Sequence, residues 1–175
     1  KQIKTNKKTI FIEYDQDRIL KPLKPHIQHL TIISHNVFQK KAFFIRTVKN
    51  DIIPFNRLIK KPFLSICFDE KKLKEKTRQF YKNNYEIFFK NNNIKKVVLY
   101  DEYSVPNYGL IMASKKTNTK VIALQHGLIT ENHTHGYIIP KNKKNKHNLP
   151  DFLITYGNYE KDILVSKSIW SKNKI

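Results

Sequence analysis

Cysteine is all but missing from this chain. The single Cys67 excludes an intrachain disulfide, and with Ile66 and Phe68 beside it, it reads as a small buried hydrophobe rather than a nucleophile. Long apolar runs are missing too: nothing approaches the ~20 consecutive apolar residues that a bilayer-spanning helix needs. The first residues lack the charged-then-apolar layout of a signal peptide, so the expectation is a soluble, cytoplasmic chain. Acidic residues are few, 14 against 34 Lys and Arg, which leaves a formal charge of +20. Arginine itself is scarce, and it is the residue suited to bidentate phosphate and base contacts. The basic excess is mostly Lys, scattered along the chain and accompanied by abundant Asn and Ile, as an AT-rich coding bias also produces. It therefore favours anionic ligands or surfaces without pointing to nucleic-acid readout.

With 175 residues the chain is long enough for one domain with a hydrophobic core and too short for two of full size. It begins at Lys1 and ends at Ile175 with no stop feature, so a piece of a longer protein is expected. Short apolar segments alternate with amphipathic ones. TIFIEY, Thr9 to Tyr14, and LTIIS, Leu30 to Ser34, have the β-branched content of buried strands. A third apolar run spans Ala42 to Val48. Ile52 to Leu58, interrupted by Pro54, reads as irregular, and FLSICF, Phe63 to Phe68, is either a strand or a buried connection. From Asp69, a plausible N-cap, a long helix is expected with Leu73, Phe80, Ile87 and Phe88 on its apolar face and Lys71, Lys72, Lys74 and Lys76 opposite. Its aromatics, Phe80, Tyr81, Tyr85, Phe88 and Phe89, read as core rather than as a base-stacking platform. Asn91-Asn92-Asn93 ends it.

A strand over Ile94 to Tyr100, a helix opened by Pro106 and stopped at Asn118, and a strand from Lys120 to Leu124 then form a βαβ unit. Its right-handed crossover brings the polar tip Asp101-Glu102 beside Gln125-His126-Gly127. Lys141 to Asn148 is a basic, low-complexity segment expected to be mobile. Phe152 to Tyr156 is the last strand, and Asn158 caps a last helix. The alternation predicts an α/β fold: a Rossmann-like parallel sheet with helices on both faces.

Ligands of such sheets bind outside the carboxyl ends of the strands, where His126 stands, with Gly127 able to turn the backbone. His35, at the end of the second predicted strand, occupies an equivalent place. Three of the seven histidines, His126, His133 and His135, fall within Lys120 to Tyr137. His133 and His135 form a His-x-His pair that suits a metal in extended backbone, but no Cys or evident third ligand accompanies it, so no metal site is expected. His126 can act as a general base when neutral and donate to a phosphate when protonated. Asp101 or Glu102 is a second candidate base or the group that orients the imidazole.

The runs DEYSVPNYGLIMASKKTNTKVIALQHGLI, HTHGYIIP and PDFLITYGNYEKDIL resemble the amino-terminal half of GT-B-fold glycosyltransferases of bacterial capsule and lipopolysaccharide synthesis. In those enzymes a strand ending in Gln-His-Gly precedes a His/Gly/Tyr-containing loop and a final strand-Gly-helix. His126-Gly127 also resembles the His-Gly of CDP-glycerol glycerophosphotransferases, although Leu128-Ile129 replaces the Thr-Pro usual there. The resemblance covers Lys96 to Val165. It implies a single Rossmann-like domain holding the acceptor side of a cleft, with a carboxy-terminal nucleotide-sugar-binding domain beyond it. It further implies His126, Asp101 and Glu102 as catalytic residues, and Gln125, Gly127, His133, His135, Tyr137 and His35 as substrate-binding ones. No cofactor or bound metal is implied; the partners would be a nucleotide-activated sugar and a glycan or lipid-linked acceptor, with peripheral association at the inner face of the membrane. Two other classes fit the residues: a basic polyanion- or nucleic-acid-binding module, and a noncatalytic interaction domain on a transferase-like fold.

Overall fold

A computed structural model describes residues 8–13, 29–33, 52–54, 70–132, 137–139, 141 and 148–175. Among the described residues six strands lie in one sheet: β1 (Thr9–Glu13), β2 (His29–Ile33), β3 (Ile52–Pro54), β4 (Lys96–Tyr100), β5 (Lys120–Leu124) and β6 (Phe152–Ile154). The order is β3-β2-β1-β4-β5-β6 and every pairing is parallel. This is the doubly wound Rossmann-like arrangement, with the strand order reversing between β1 and β4, the place where such sheets open a ligand crevice. The expected α/β class is the observed one.

Helices α1 (Glu70–Asn92), α2 (Val105–Thr117) and α3 (Asn158–Lys167) flank the sheet. Val97, Leu99, Val121, Ala123 and Leu153 alternate along β4, β5 and β6 into one core with Tyr81, Tyr85 and Phe89 of α1, Leu110, Ile111 and Ala113 of α2, and Ile163 and Leu164 of α3. Val98, Tyr100 and Leu124, on the opposite face of the sheet, are buried as well. Past Lys96 both sides of β4 are therefore dry, and those of β5 nearly so with Ile122 half-buried, which is why these strands read as continuous apolar runs. Both helix ends foreseen at asparagine use the left-handed region, Asn93 at φ 51° and Asn118 at φ 53°. The short polar side chain of Asn tolerates that region.

Two sequence expectations change. Ile52–Pro54 is a strand rather than irregular chain: β3 is the end strand among those described, a position that tolerates a proline. Ile87, expected on the apolar face of α1, is 39% exposed, and the buried stripe runs through Tyr81, Tyr85, Phe88 and Phe89 instead. The last helix starts one residue beyond the turn at Gly157, which is its N-cap, with Asn158 already helical. The runs 42–48 and 63–68, Cys67, and nearly all of the basic segment 141–148 lie outside the described residues.

The contact between α1 and α2 depends on one missing side chain. A Cβ at Gly109 would stand 2.6 Å from the Arg78 carbonyl oxygen and 2.8 Å from the Tyr81 Cβ. Backbone cannot yield there without separating the helices, so Gly109→Ala is expected to destabilise the domain by about 1–3 kcal/mol, read as a lower urea midpoint. An unchanged midpoint would show that the two helices do not meet at this glycine.

Candidate functional site

The site is built on the carboxyl ends of β4 and β5, which pair in register up to Tyr100 beside Leu124. Directly after β4 the chain turns sharply, with Asp101 in the left-handed region at φ 65°. Asn107, fully buried in the first turns of α2, holds this turn: its Nδ2 donates to the carbonyls of Tyr100 at 3.2 Å and Asp101 at 2.9 Å. The Ser104 hydroxyl donates to the same Asp101 carbonyl at 3.2 Å.

This turn aims the backbone N–H of Asp101 at Nδ1 of His126, 3.1 Å away. The Tyr137 hydroxyl lies 2.8 Å from the same nitrogen and accepts the backbone N–H of His126 at 2.9 Å. A backbone amide can only donate. Nδ1 is therefore an acceptor, the Tyr137 hydroxyl donates to it, and the proton of the neutral ring sits on Nε2. The imidazole is enclosed by the rings of Tyr100, Tyr103 and Tyr137, with centroids 6.4, 5.8 and 5.6 Å from its own.

The two neighbouring carboxyls are in unlike surroundings. Burial raises the Asp101 pKa to about 6, partly offset by its hydrogen bonds with Ser104. Glu102 is 4% exposed, its oxygens make no hydrogen bond of good geometry among the described residues, and burial raises its pKa to about 7, partly offset by its own backbone amide and the nearby Tyr103 hydroxyl. Burial also pushes the Tyr103 and Tyr137 phenols above their ordinary range, with the Glu102 charge adding to the effect, so both stay protonated near neutrality. Glu102 lines a cavity of about 240 Å³. The cavity extends from this turn to Arg78 of α1, Tyr108 of α2 and Trp170 beyond α3.

Of the residues foreseen for the site, the structure brings Asp101, Glu102, Gln125, His126, Gly127 and Tyr137 to one region of the sheet rim. His35, His133 and His135 lie outside the described residues. Two of the residues have different partners from those foreseen. It is the backbone of Asp101, with Tyr137, that orients His126, not a carboxylate. Gln125, expected to meet substrate, is 1% exposed and fully engaged: its Oε1 accepts the Tyr156 N–H at 2.8 Å and its Nε2 donates to the Gly127 carbonyl at 2.8 Å. It clasps the end of β5 to the end of β6 and sets the turn on which His126 rides. Gln125→Glu removes the donor and buries a carboxylate, so a loss of about 3 kcal/mol is expected in thermal melts at pH 8. Sequence reasoning missed Tyr103, Asn107, Arg78 and Trp170. Only Tyr103 had a signal, its place beside the acidic tip in Asp101-Glu102-Tyr103.

Among the described residues no group of three or more His, Cys, Asp or Glu is placed to hold a metal ion, and no helix is long and apolar enough to cross a membrane.

No known protein family and no curated protein matches the sequence. Solved structures do match in fold. A UDP-GlcNAc 2-epimerase from Neisseria meningitidis, bound to UDP-GlcNAc, superposes with a TM-score of 0.59 at 14% identity over 98% of this chain and 45% of that one. A second UDP-N-acetylglucosamine 2-epimerase gives 0.53 at 15% identity over 98% and 46%, and a putative one from Listeria monocytogenes 0.53 at 14% over 100% and 44%. The chain thus spans a little under half the length of these proteins. The likeness establishes the Rossmann-like fold. It falls on enzymes named as epimerases of a nucleotide sugar, whereas the motif resemblance was to transferases.

Proposed function

We propose that this chain is the acceptor-side domain of a glycosyltransferase-like enzyme that moves a sugar, or a polyol phosphate, from a nucleotide-activated donor to a glycan or lipid-linked acceptor. The observation that carries the reading is the fixed tautomer of His126. With Nδ1 accepting from the Asp101 amide and the Tyr137 hydroxyl, the ring presents an N–H donor at Nε2. A donor at a sheet rim suits the negative charge that grows on a departing nucleoside diphosphate. The proton of the attacking hydroxyl then needs another acceptor, and Glu102, with a pKa of about 7, is matched to that task near neutrality. The division of labour is thus narrower than sequence alone allowed: His126 donates, Glu102 accepts. Asp101 serves chiefly through its backbone. A carboxy-terminal domain would hold most of the donor, as the proportion of the similar chains spanned here supports. Bacterial surface polysaccharide, at the cytoplasmic face of the membrane, is the setting proposed for the acceptor.

The names of the similar structures favour a second reading, an epimerase acting on the nucleotide sugar with no acceptor. One assay separates the two. Full-length protein is incubated with UDP-, GDP-, CDP- and dTDP-linked sugars and a cell-envelope extract, and the products are separated by liquid chromatography and identified by mass spectrometry. Transfer yields a glycosylated acceptor and free nucleotide; epimerisation yields an isomeric nucleotide sugar of unchanged mass. No turnover of any of them would defeat both readings.

A further inference from the structure

Side chains from three stretches of the chain, α1, the turn after β4 and the segment beyond α3, line one cavity and carry buried polar atoms with no hydrogen-bond partner among the described residues. They are Nε of Arg78, both carboxyl oxygens of Glu102 and Nε1 of Trp170; the Tyr103 hydroxyl, which also makes no hydrogen bond of good geometry, lies close enough to Glu102 and Tyr137 to interact with both. Glu102 and Trp170 are only 4% and 3% exposed, so solvent outside the fold does not serve them. Each buried polar atom left without a hydrogen bond costs about 1–3 kcal/mol. Such a cluster is expensive unless an occupant completes it.

The walls describe that occupant. Tyr103, Tyr108, Tyr137 and Trp170 supply aromatic surfaces, whose electron-rich faces attract polarised C–H bonds. The polar atoms stand apart from one another in kind: Glu102 accepts, while Trp170 and Arg78 donate. A fitting ligand has an apolar flank and a rim of groups that both donate and accept. At about 240 Å³ the space lies below the ~300–1,000 Å³ of typical small-molecule sites, so it admits a single ring rather than a nucleotide or an oligomer. Phosphate is poorly served by the described walls, because the one cation among them, Arg78, already stacks 4.4 Å over the Tyr108 ring and lies 3.7 Å from Glu75.

We propose that this cavity is a monosaccharide subsite, in which ring hydroxyls donate to Glu102 and sugar oxygens accept from Trp170 and Arg78. Tyr103 and Tyr137 line it and also stand against the His126 ring, so a bound sugar is separated from the imidazole by one layer of side chains. The cavity and its unpartnered atoms carry this inference; only the identification of the bound unit as an acceptor sugar rests on the function proposed above.

Trp170 is the only tryptophan of this chain and reports on the cavity directly. Full-length protein is titrated with glucose, galactose, N-acetylglucosamine, glucuronic acid and, as a contrast, uridine; emission is followed against a Trp170→Phe protein as blank. A saturable, millimolar response to at least one sugar is expected. Tyr103→Phe deletes a hydroxyl that stands beside Glu102 and Tyr137 in the cavity wall, so the protein should still unfold in one cooperative step while its sugar affinity drops about tenfold. A response to uridine alone, no saturable sugar response up to about 50 mM, or unchanged affinity in Tyr103→Phe would each overturn the proposal and leave the cavity to water. The two claims fail separately. Sugar binding without nucleotide-sugar turnover refutes the function and keeps the subsite, and turnover without sugar binding does the reverse.

Discussion

His126→Asn is expected to fold as stably as the parent and to lose about 10²- to 10³-fold in nucleotide-sugar turnover by the full-length protein, the usual toll for deleting one donor from a site of developing negative charge. The reason lies in which nitrogen does which job. Asparagine Oδ1 takes the place of Nδ1 and can accept from the Asp101 amide and the Tyr137 hydroxyl, so the scaffold's hydrogen bonds survive. Nothing replaces Nε2–H. Glutamine is the mirror case: its amide nitrogen reaches the Nε2 position and keeps a donor there, while the anchor at Nδ1 goes. His126→Gln should therefore retain more activity than His126→Asn but melt lower, because the Asp101 amide and Tyr137 hydroxyl lose their acceptor at a cost of about 1–3 kcal/mol. Activity and thermal melts of both proteins, measured side by side, decide the matter. If His126→Asn stays active, the imidazole is a structural group and its donor role falls. If the two proteins lose activity equally with no difference in stability, the tautomer argument fails.

How much of this was legible beforehand depends on whether the cause is local. The strands at Lys96–Tyr100 and Lys120–Leu124 announce themselves because, past their first lysine, they are largely buried and hence uninterrupted by polar residues. The meeting of Asp101 with His126 was also legible, since a right-handed crossover of this length leaves two adjacent parallel strands little choice of where their ends lie. The strand at Ile52–Pro54 was not, because a proline forbids a central strand and allows a terminal one, and only the assembled sheet says which this is.

The chemistry inside the site was less readable than its location. Sequence gives side chains, and so it nominated carboxylates to orient His126. The group that does so is an amide aimed by a left-handed Asp101, which Asn107 braces from six residues further on. Likewise a glutamine next to a candidate catalytic histidine suggests a ligand contact, whereas Gln125 spends both ends of its amide on backbone. Arg78 and Trp170 reach the cavity from α1 and from beyond α3, through packing between helices that no local pattern encodes. Aromatics at helical spacing were read correctly as core because burying them is the main return an amphipathic helix offers.

The largest effect of pH should come from Glu102. Its folded pKa, about 7, stands well above the ordinary 4.5, because burial disfavours the charged form. The folded chain thus holds this proton more tightly than the unfolded one. Stability from the group is fully present below about pH 4.5 and is lost as pH rises through 7, where the folded state must either ionise a buried carboxyl or forgo the proton's release. Two to three pKa units correspond to about 3 kcal/mol of linkage. Glu102→Gln keeps the shape and cannot ionise, so it should match the parent near pH 4, pull ahead between about pH 4.5 and 7 and hold a constant lead above that, as followed by urea midpoints across that range. Parallel curves for the two proteins would mean that Glu102 is ionised and served by water in the folded state. The same substitution should lower turnover about 10²-fold or more if Glu102 accepts the acceptor's proton. A protein that grows more stable and less active on one isosteric change marks the carboxyl as kept for chemistry against its own folding interest, which a residue retained for packing does not do.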